Sequence, residues 1–189
     1  GEVVNIPSYM VKPGDVIAVE SPAYFGVLQA IESLGMRALE IPAHPRTGFD
    51  VSAFEETLRA QSVQALVITP TASNPLGSVM PDDERERLVK LTRRHDIPVI
   101  EDDVYGELVW DGSHPRPLRS FSGPSEDNHV LLVSSVSKTL APGYRVGWIA
   151  GGRWHDRVVR LKYGQSRACP TLPGMAVAEF LSSGGYDRH

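Results

Sequence analysis

Short apolar runs alternate with amphipathic stretches along nearly the whole chain, and this alternation limits the possible folds more than any single motif. DVIAVE (Asp15 to Glu20) is brief, rich in β-branched residues and preceded by Pro13-Gly14, as a buried strand should be. Further strands are predicted at Arg37 to Ile41, Ala65 to Thr69, Pro98 to Glu101, Val130 to Ser134 and Val146 to Ala150. Between them lie helical patterns. Phe25, Leu28, Ile31 and Leu34 recur at helical spacing within Tyr24 to Leu34, and Gly35 stops the run. Val51 to Ala60 follows, with Asp50 or Ser52 as its cap. A charged helix opens at Pro81-Asp82 and runs to about His95, with Leu88, Leu91 and Val89 inward. Arg153 to Gln165 and Thr171 to Leu181 complete the set. Strand–helix–strand repeats of this spacing predict a three-layer α/β/α domain on a mainly parallel sheet.

Such sheets gather ligand groups at the C-terminal ends of their strands. Tyr24 follows the first predicted strand, Asn74 the third, Asp102 the fourth and Lys138 the fifth, so one crevice can collect them. The run SVSKTLAPGYRVGW places Lys138 at a Ser-rich strand end and Arg145 seven residues on. A lysine amine can condense with an aldehyde, and an arginine fork can hold a phosphate in bidentate fashion. Ser135 and Ser137 add hydroxyls beside it. Asp102 suits a protonated ring nitrogen, Tyr105 and Asn74 can donate to a phenolic oxygen, and Tyr24 can stack on a ring face. Together these groups match the needs of pyridoxal phosphate. Lys138 would hold it and then serve as general base and acid.

Taken singly, each signal has an ordinary reading. A lysine after a strand is commonly solvated, SNPLG is a turn, and Glu101, Asp102 and Asp103 make an acidic loop or a magnesium site. Ser137-Lys138-Thr139 lacks the glycines of a nucleotide-binding loop. GQSRA (Gly164 to Ala168) lacks the closing glycine of a nucleophile elbow and falls in a predicted helix. The six histidines (His44, His95, His114, His129, His155 and His189) have no ligand spacing and are expected on the surface or in loops.

The whole chain is compatible with one domain of 189 residues. Its 41% hydrophobic and 22% charged residues describe a globular protein. A net charge of −4 argues against a broad nucleic-acid-binding face on this segment. No apolar run reaches the roughly 18 residues of a membrane span, and no leader pattern opens the chain. The single Cys169 excludes an internal disulfide. A cytoplasmic location without membrane contact is the expectation.

At ESPAYFG (Glu20 to Gly26), SNPLG (Ser73 to Gly77), EDDVYGEL (Glu101 to Leu108) and SVSKTLAPGYRVGW (Ser135 to Trp148) the chain resembles fold-type I pyridoxal phosphate enzymes, specifically class I/II aminotransferases. The resemblance implies that Lys138 carries the cofactor. It implies that Asp102 meets the pyridine nitrogen, Tyr105 and Asn74 the phenolic oxygen, Tyr24 the ring face, and Ser135 and Arg145 the phosphate. The run PAYFGVLQAIESLGMRALEIPAHPRTGFDVSAFE narrows the likeness to the aminotransferase-like domain of GntR-type regulators of the MocR group. Free-standing aminotransferases of the 2-aminoadipate and aromatic types share these motifs. Residues 1–189 are then expected to be the central part of an aminotransferase-like large domain. The opening GEVVNIPSYMVKPGD does not match the family's glycine-rich loop, and no C-terminal small domain follows. The expected partners are an amino acid or amine and a second copy in a homodimer. DNA would be met only through a winged helix fused to this domain.

Overall fold

A computed structural model describes residues 11–110 and 114–189. The opening segment that fails to match a glycine-rich loop lies largely outside the described residues. Among the described residues seven strands form one sheet: β1 (Val16–Ser21), β2 (Arg37–His44), β3 (Gly48–Phe49), β4 (Ala65–Ile68), β5 (Val99–Asp102), β6 (Val130–Ser135) and β7 (Gly147–Ala150). The helices are α1 (Phe25–Ser33), α2 (Val51–Ala60), α3 (Asp82–Arg94), α4 (His155–Ser166), α5 (Thr171–Ser182) and α6 (Gly185–Arg188).

The sheet order is β3-β2-β1-β4-β5-β6-β7. β2, β1, β4, β5 and β6 run parallel, while β3 and β7 pair antiparallel at the two edges. The chain moves outward from β1 to β2 and β3, then returns to place β4 on the other side of β1. This reversal opens a crevice beyond the C-terminal ends of β1 and β4, where open α/β sheets bind ligands.

Period-two alternation sorts the strand residues between two cores. Ala18, Leu66, Ile68, Val99 and Val130 join Phe54 of α2 and Leu88, Val89 and Leu91 of α3. Ile17, Val19, Ala65, Val67, Ile100, Leu131 and Val133 join Ile31 of α1, with Val158 of α4 packed against them. Helices on both faces thus cover nearly continuous apolar strands, as a parallel sheet requires.

Local chemistry sets the helix ends. Asp50 caps α2 by accepting from the Ala53 N–H at 2.9 Å. Asp82, Asp83 and Glu84 occupy the first turn of α3, and Arg93 and Arg94 its last, matching the helix dipole. Gly35 stops α1 at a φ of +71°, where a side chain would be strained.

The predicted strands and helices all form, with ends displaced by a few residues. β3 was not expected; two residues carry too little pattern to announce a strand. One other expectation is corrected. Phe25, placed on the apolar stripe of α1, is 62% exposed. His129, expected on the surface or in a loop, lies in the loop just before β6 and is buried there. Its Nε2 lies 2.9 Å from Thr92 Oγ1 and its Nδ1 2.9 Å from Ser122 Oγ. Burial, with Arg93 and Arg153 nearby, lowers its pKa to about 4. Two hydroxyl partners make a neutral buried imidazole affordable. Among the described residues no helix is long and apolar enough to cross a membrane.

Candidate cofactor site

The loop after β4 carries Asn74. It is closed by Met80 N–H donating to Pro70 O at 2.9 Å and by Ser73 Oγ lying 2.6 Å from Ser78 Oγ. The turn after β5 carries Tyr105. The Asn74 Nδ2 donates across to the Tyr105 hydroxyl at 3.4 Å. From the third side comes Lys138, on the turn after β6, with Nζ 5.8 Å from the centroid of the Tyr105 ring. Residues far apart in sequence therefore meet because β4, β5 and β6 are adjacent and parallel.

The Lys138 turn is built by its own backbone. Leu140 and Ala141 N–H both donate to Val136 O, and Ser137 N–H donates to Ser135 Oγ at 3.3 Å. Val136 N–H donates to Val146 O at 3.1 Å, closing the loop against the start of β7. Arg145 sits within this closure at a φ of +54°, which costs a non-glycine residue about 1–2 kcal/mol. Its Nη1 donates only to Pro142 O, at 3.4 Å. Neither Lys138 nor Arg145 forms an ion pair with a described residue. Both are exposed.

Asp102 ends β5. Its Oδ1 accepts from Val104 N–H at 3.2 Å, and no described side-chain cation pairs with it. Burial raises its pKa above the ordinary aspartate value. Tyr24 stands beyond β1. Its ring lies 4.8 Å from that of Phe25 and is 46% exposed. Gly26 makes room for it: a Cβ there would lie 2.4 Å from the Tyr24 ring.

Three residues escaped the sequence reading, and a fourth, Glu101, entered it only as part of an acidic loop or a magnesium site. Glu20, at the end of β1, accepts from Thr69 N–H at 3.0 Å, joining the two strands that flank the crevice. Burial lifts its pKa to about 7. Glu101 is fully buried and also raised to about 7 by burial, while Leu118 and Arg119 N–H donate to its two oxygens at 2.6 and 3.0 Å. Arg85 is fully buried on α3. Tyr186, on α6, donates to Glu107 Oε2, on the segment that follows Tyr105. A signal existed for Arg85 alone: it shares a helical face with Leu88, Val89 and Thr92.

The donor set fits pyridoxal phosphate. A half-buried carboxylate without a cation suits a protonated ring nitrogen, an unpaired amine suits an aldehyde, and an unpaired guanidinium with hydroxyls suits a phosphate.

Comparison with known proteins supports the same chemistry. The model for "Aminotransferase class I and II" matches residues 3–178. The uncharacterized HTH-type transcriptional regulator YjiR of Escherichia coli is 44% identical over 178 residues, covering 94% of this chain and 37% of that protein. Aromatic-amino-acid aminotransferase 1 of Thermococcus litoralis is 32% identical, over 95% of this chain and 43% of its own length. The crystal structure of alpha-aminoadipate aminotransferase from Thermus thermophilus, complexed with N-(5'-phosphopyridoxyl)-L-leucine, superposes with a TM-score of 0.91 at 30% identity. It covers 98% of this chain and 48% of that one. The chain spans less than half the length of these relatives. Its sequence, its sheet order and this likeness lead to one conclusion: the chain belongs to the class I and II aminotransferase family.

Proposed function

We propose that this chain is the pyridoxal phosphate-binding core of the effector domain of a GntR/MocR-type transcriptional regulator. The observation that carries the cofactor reading is the convergence of Asn74, Tyr105 and Lys138 at the ends of three adjacent parallel strands. When bound, pyridoxal phosphate supplies an aldehyde that captures amines and a ring that withdraws electrons from the attached carbon.

The chain's own residues hold and tune that group. Lys138 Nζ is the point of covalent attachment and, once free, moves a proton as base and acid. Asp102 keeps a proton on the ring nitrogen, because a half-buried carboxylate favours a cation beside it. Asn74 and Tyr105 donate to the phenolic oxygen, and Tyr24 covers the ring face. Arg145, Ser135 and Ser137 bind the phosphate. Arg145 supplies charge and a planar fork, and the serines supply hydroxyl donors.

The regulator reading is favoured by the identity with YjiR, above that with the aminotransferases compared. The domain then belongs to a longer cytoplasmic protein that acts as a homodimer, senses an amino acid or amine, and meets DNA through a separate winged helix. The second reading is a free-standing aminotransferase, supported by the Thermococcus litoralis and Thermus thermophilus relatives. The two separate on addition of amino acids to the cofactor-loaded full-length protein. A regulator shifts the visible band without accumulating 2-oxo acid. An enzyme given an acceptor accumulates 2-oxo acid over many turnovers. Sustained turnover contradicts the regulator reading.

A further inference from the structure

Arg85 is the largest fully buried side chain among the described residues. A guanidinium in that position is tolerated only when its donors are satisfied. All of its described hydrogen bonds run to loops. Nε donates to Met80 O at 2.7 Å, and Nη2 donates to Pro70 O and Thr71 Oγ1, both at 2.9 Å. Nη1 donates to Arg116 O at 2.9 Å. Pro70 and Met80 are the two ends of the loop that carries Asn74, and they are hydrogen-bonded to each other. One planar fork therefore fixes both ends of that loop.

The fourth bond extends the network. Arg116 lies just before Leu118 and Arg119, whose N–H groups Glu101 holds. Glu101 directly precedes Asp102, and its charge acts on Arg85 through space. The Asn74 loop and the β5 end are thus joined beneath the site by two buried ionisable side chains. An apolar residue at position 85 would fill space beside Leu88 but would aim nothing. What the arginine adds is direction, because its donors lie in a fixed plane.

We propose that Arg85 is a positioning residue. By pinning the Pro70–Met80 loop it sets the Asn74 amide against the Tyr105 hydroxyl, and so the donor pair that meets the cofactor's phenolic oxygen. The inference rests on the pyridoxal phosphate reading and deepens it.

The test compares Arg85→Met, Arg85→Lys, Thr71→Val, Asn74→Ala and the double variant R85M/N74A in the full-length protein. Two quantities are read: the pH midpoint of the visible band of bound pyridoxal phosphate, and the thermal midpoint without cofactor. Asn74→Ala raises the pH midpoint by about half to one unit, since losing one donor favours the protonated oxygen. Arg85→Met raises it by a similar amount, and the double variant moves no further, because both changes remove one contact. Arg85→Lys restores thermal stability in part but leaves the pH midpoint raised, lacking the planar fork. Thr71→Val removes a single loop contact, shifts the pH midpoint in the same direction by less, and carries the test if Arg85→Met does not fold. Parental pH midpoints in Thr71→Val and in whichever Arg85 variants fold overturn the proposal, whatever the thermal loss. So does a parental band that Asn74→Ala leaves unmoved. A parent with no visible band overturns the cofactor reading itself, and this inference with it.

Discussion

Glu20 and Glu101 on the central strands β1 and β5, and Arg85 on α3, are buried among apolar side chains, whereas α4 and α5 leave Val159, Tyr163, Leu172, Met175 and Leu181 exposed. In the first region ionisable groups are taken out of water, and backbone N–H and C=O groups satisfy them. In the second, Leu161 and Val177 are the buried residues of two full helices. The contrast teaches that burial here follows strand adjacency and not residue polarity. A carboxylate at the end of a central strand is enclosed on both sides, while a leucine on a peripheral helix packs only where another element reaches it. The candidate site stands between these regions: the Arg85 fork beneath it is buried, Asp102 is half-buried, and its cations, Lys138 and Arg145, are exposed.

The sharpest way to break the comparison is to cut equally on both sides of it. Phe54 is fully buried and packs edge-on against Phe49 with ring centroids 5.4 Å apart. Phe54→Ala is expected to cost about 3–5 kcal/mol, read as a large fall in the urea midpoint. Glu101→Leu comes next, at about 3 kcal/mol, because it leaves the Leu118 and Arg119 N–H groups without acceptors and a buried guanidinium without its neighbouring charge. An unchanged urea midpoint in this variant would show that the buried charges are dispensable.

Glu20→Gln tests the same region through pH. Native Glu20 keeps its proton up to about pH 7, against an ordinary value of 4.5. Its contribution to stability is therefore full below pH 4.5 and lost as pH rises through 7. The variant lacks that loss, so its stability gain over the parent should grow between those limits and then level off. A gain independent of pH contradicts the assignment. Smallest of all, Leu172→Ala on the exposed face of α5 is expected to change stability by less than about 0.5 kcal/mol. A loss approaching that of Phe54→Ala would show the two regions to be alike.

Much of this was legible from the residues. The central strands announced themselves because a parallel sheet covered on both faces needs unbroken apolar runs, as in ALVI of β4. The positions of Asn74, Asp102, Tyr105 and Lys138 followed, since each lies at the end of such a run or in the loop after it. What stayed hidden was the support beneath them. In DDERERLVKLTRR, Arg85 stands one turn before Leu88 on the inward face, yet only tertiary packing shows what satisfies its charge there. Glu20 and Glu101 sit at strand ends where sequence cannot say whether a carboxylate faces water or a neighbouring backbone. Tyr24 illustrates the reverse: its motif is clear, yet its described ring contact is with Phe25.

The most direct measurement is a visible-absorbance titration of the full-length protein with pyridoxal phosphate, beside Lys138→Ala, with circular dichroism on both to verify the fold. A saturable band in the parent that Lys138→Ala abolishes while remaining folded is the predicted result. The same band in the folded variant, or none in the folded parent, would contradict the claim that Lys138 carries the cofactor.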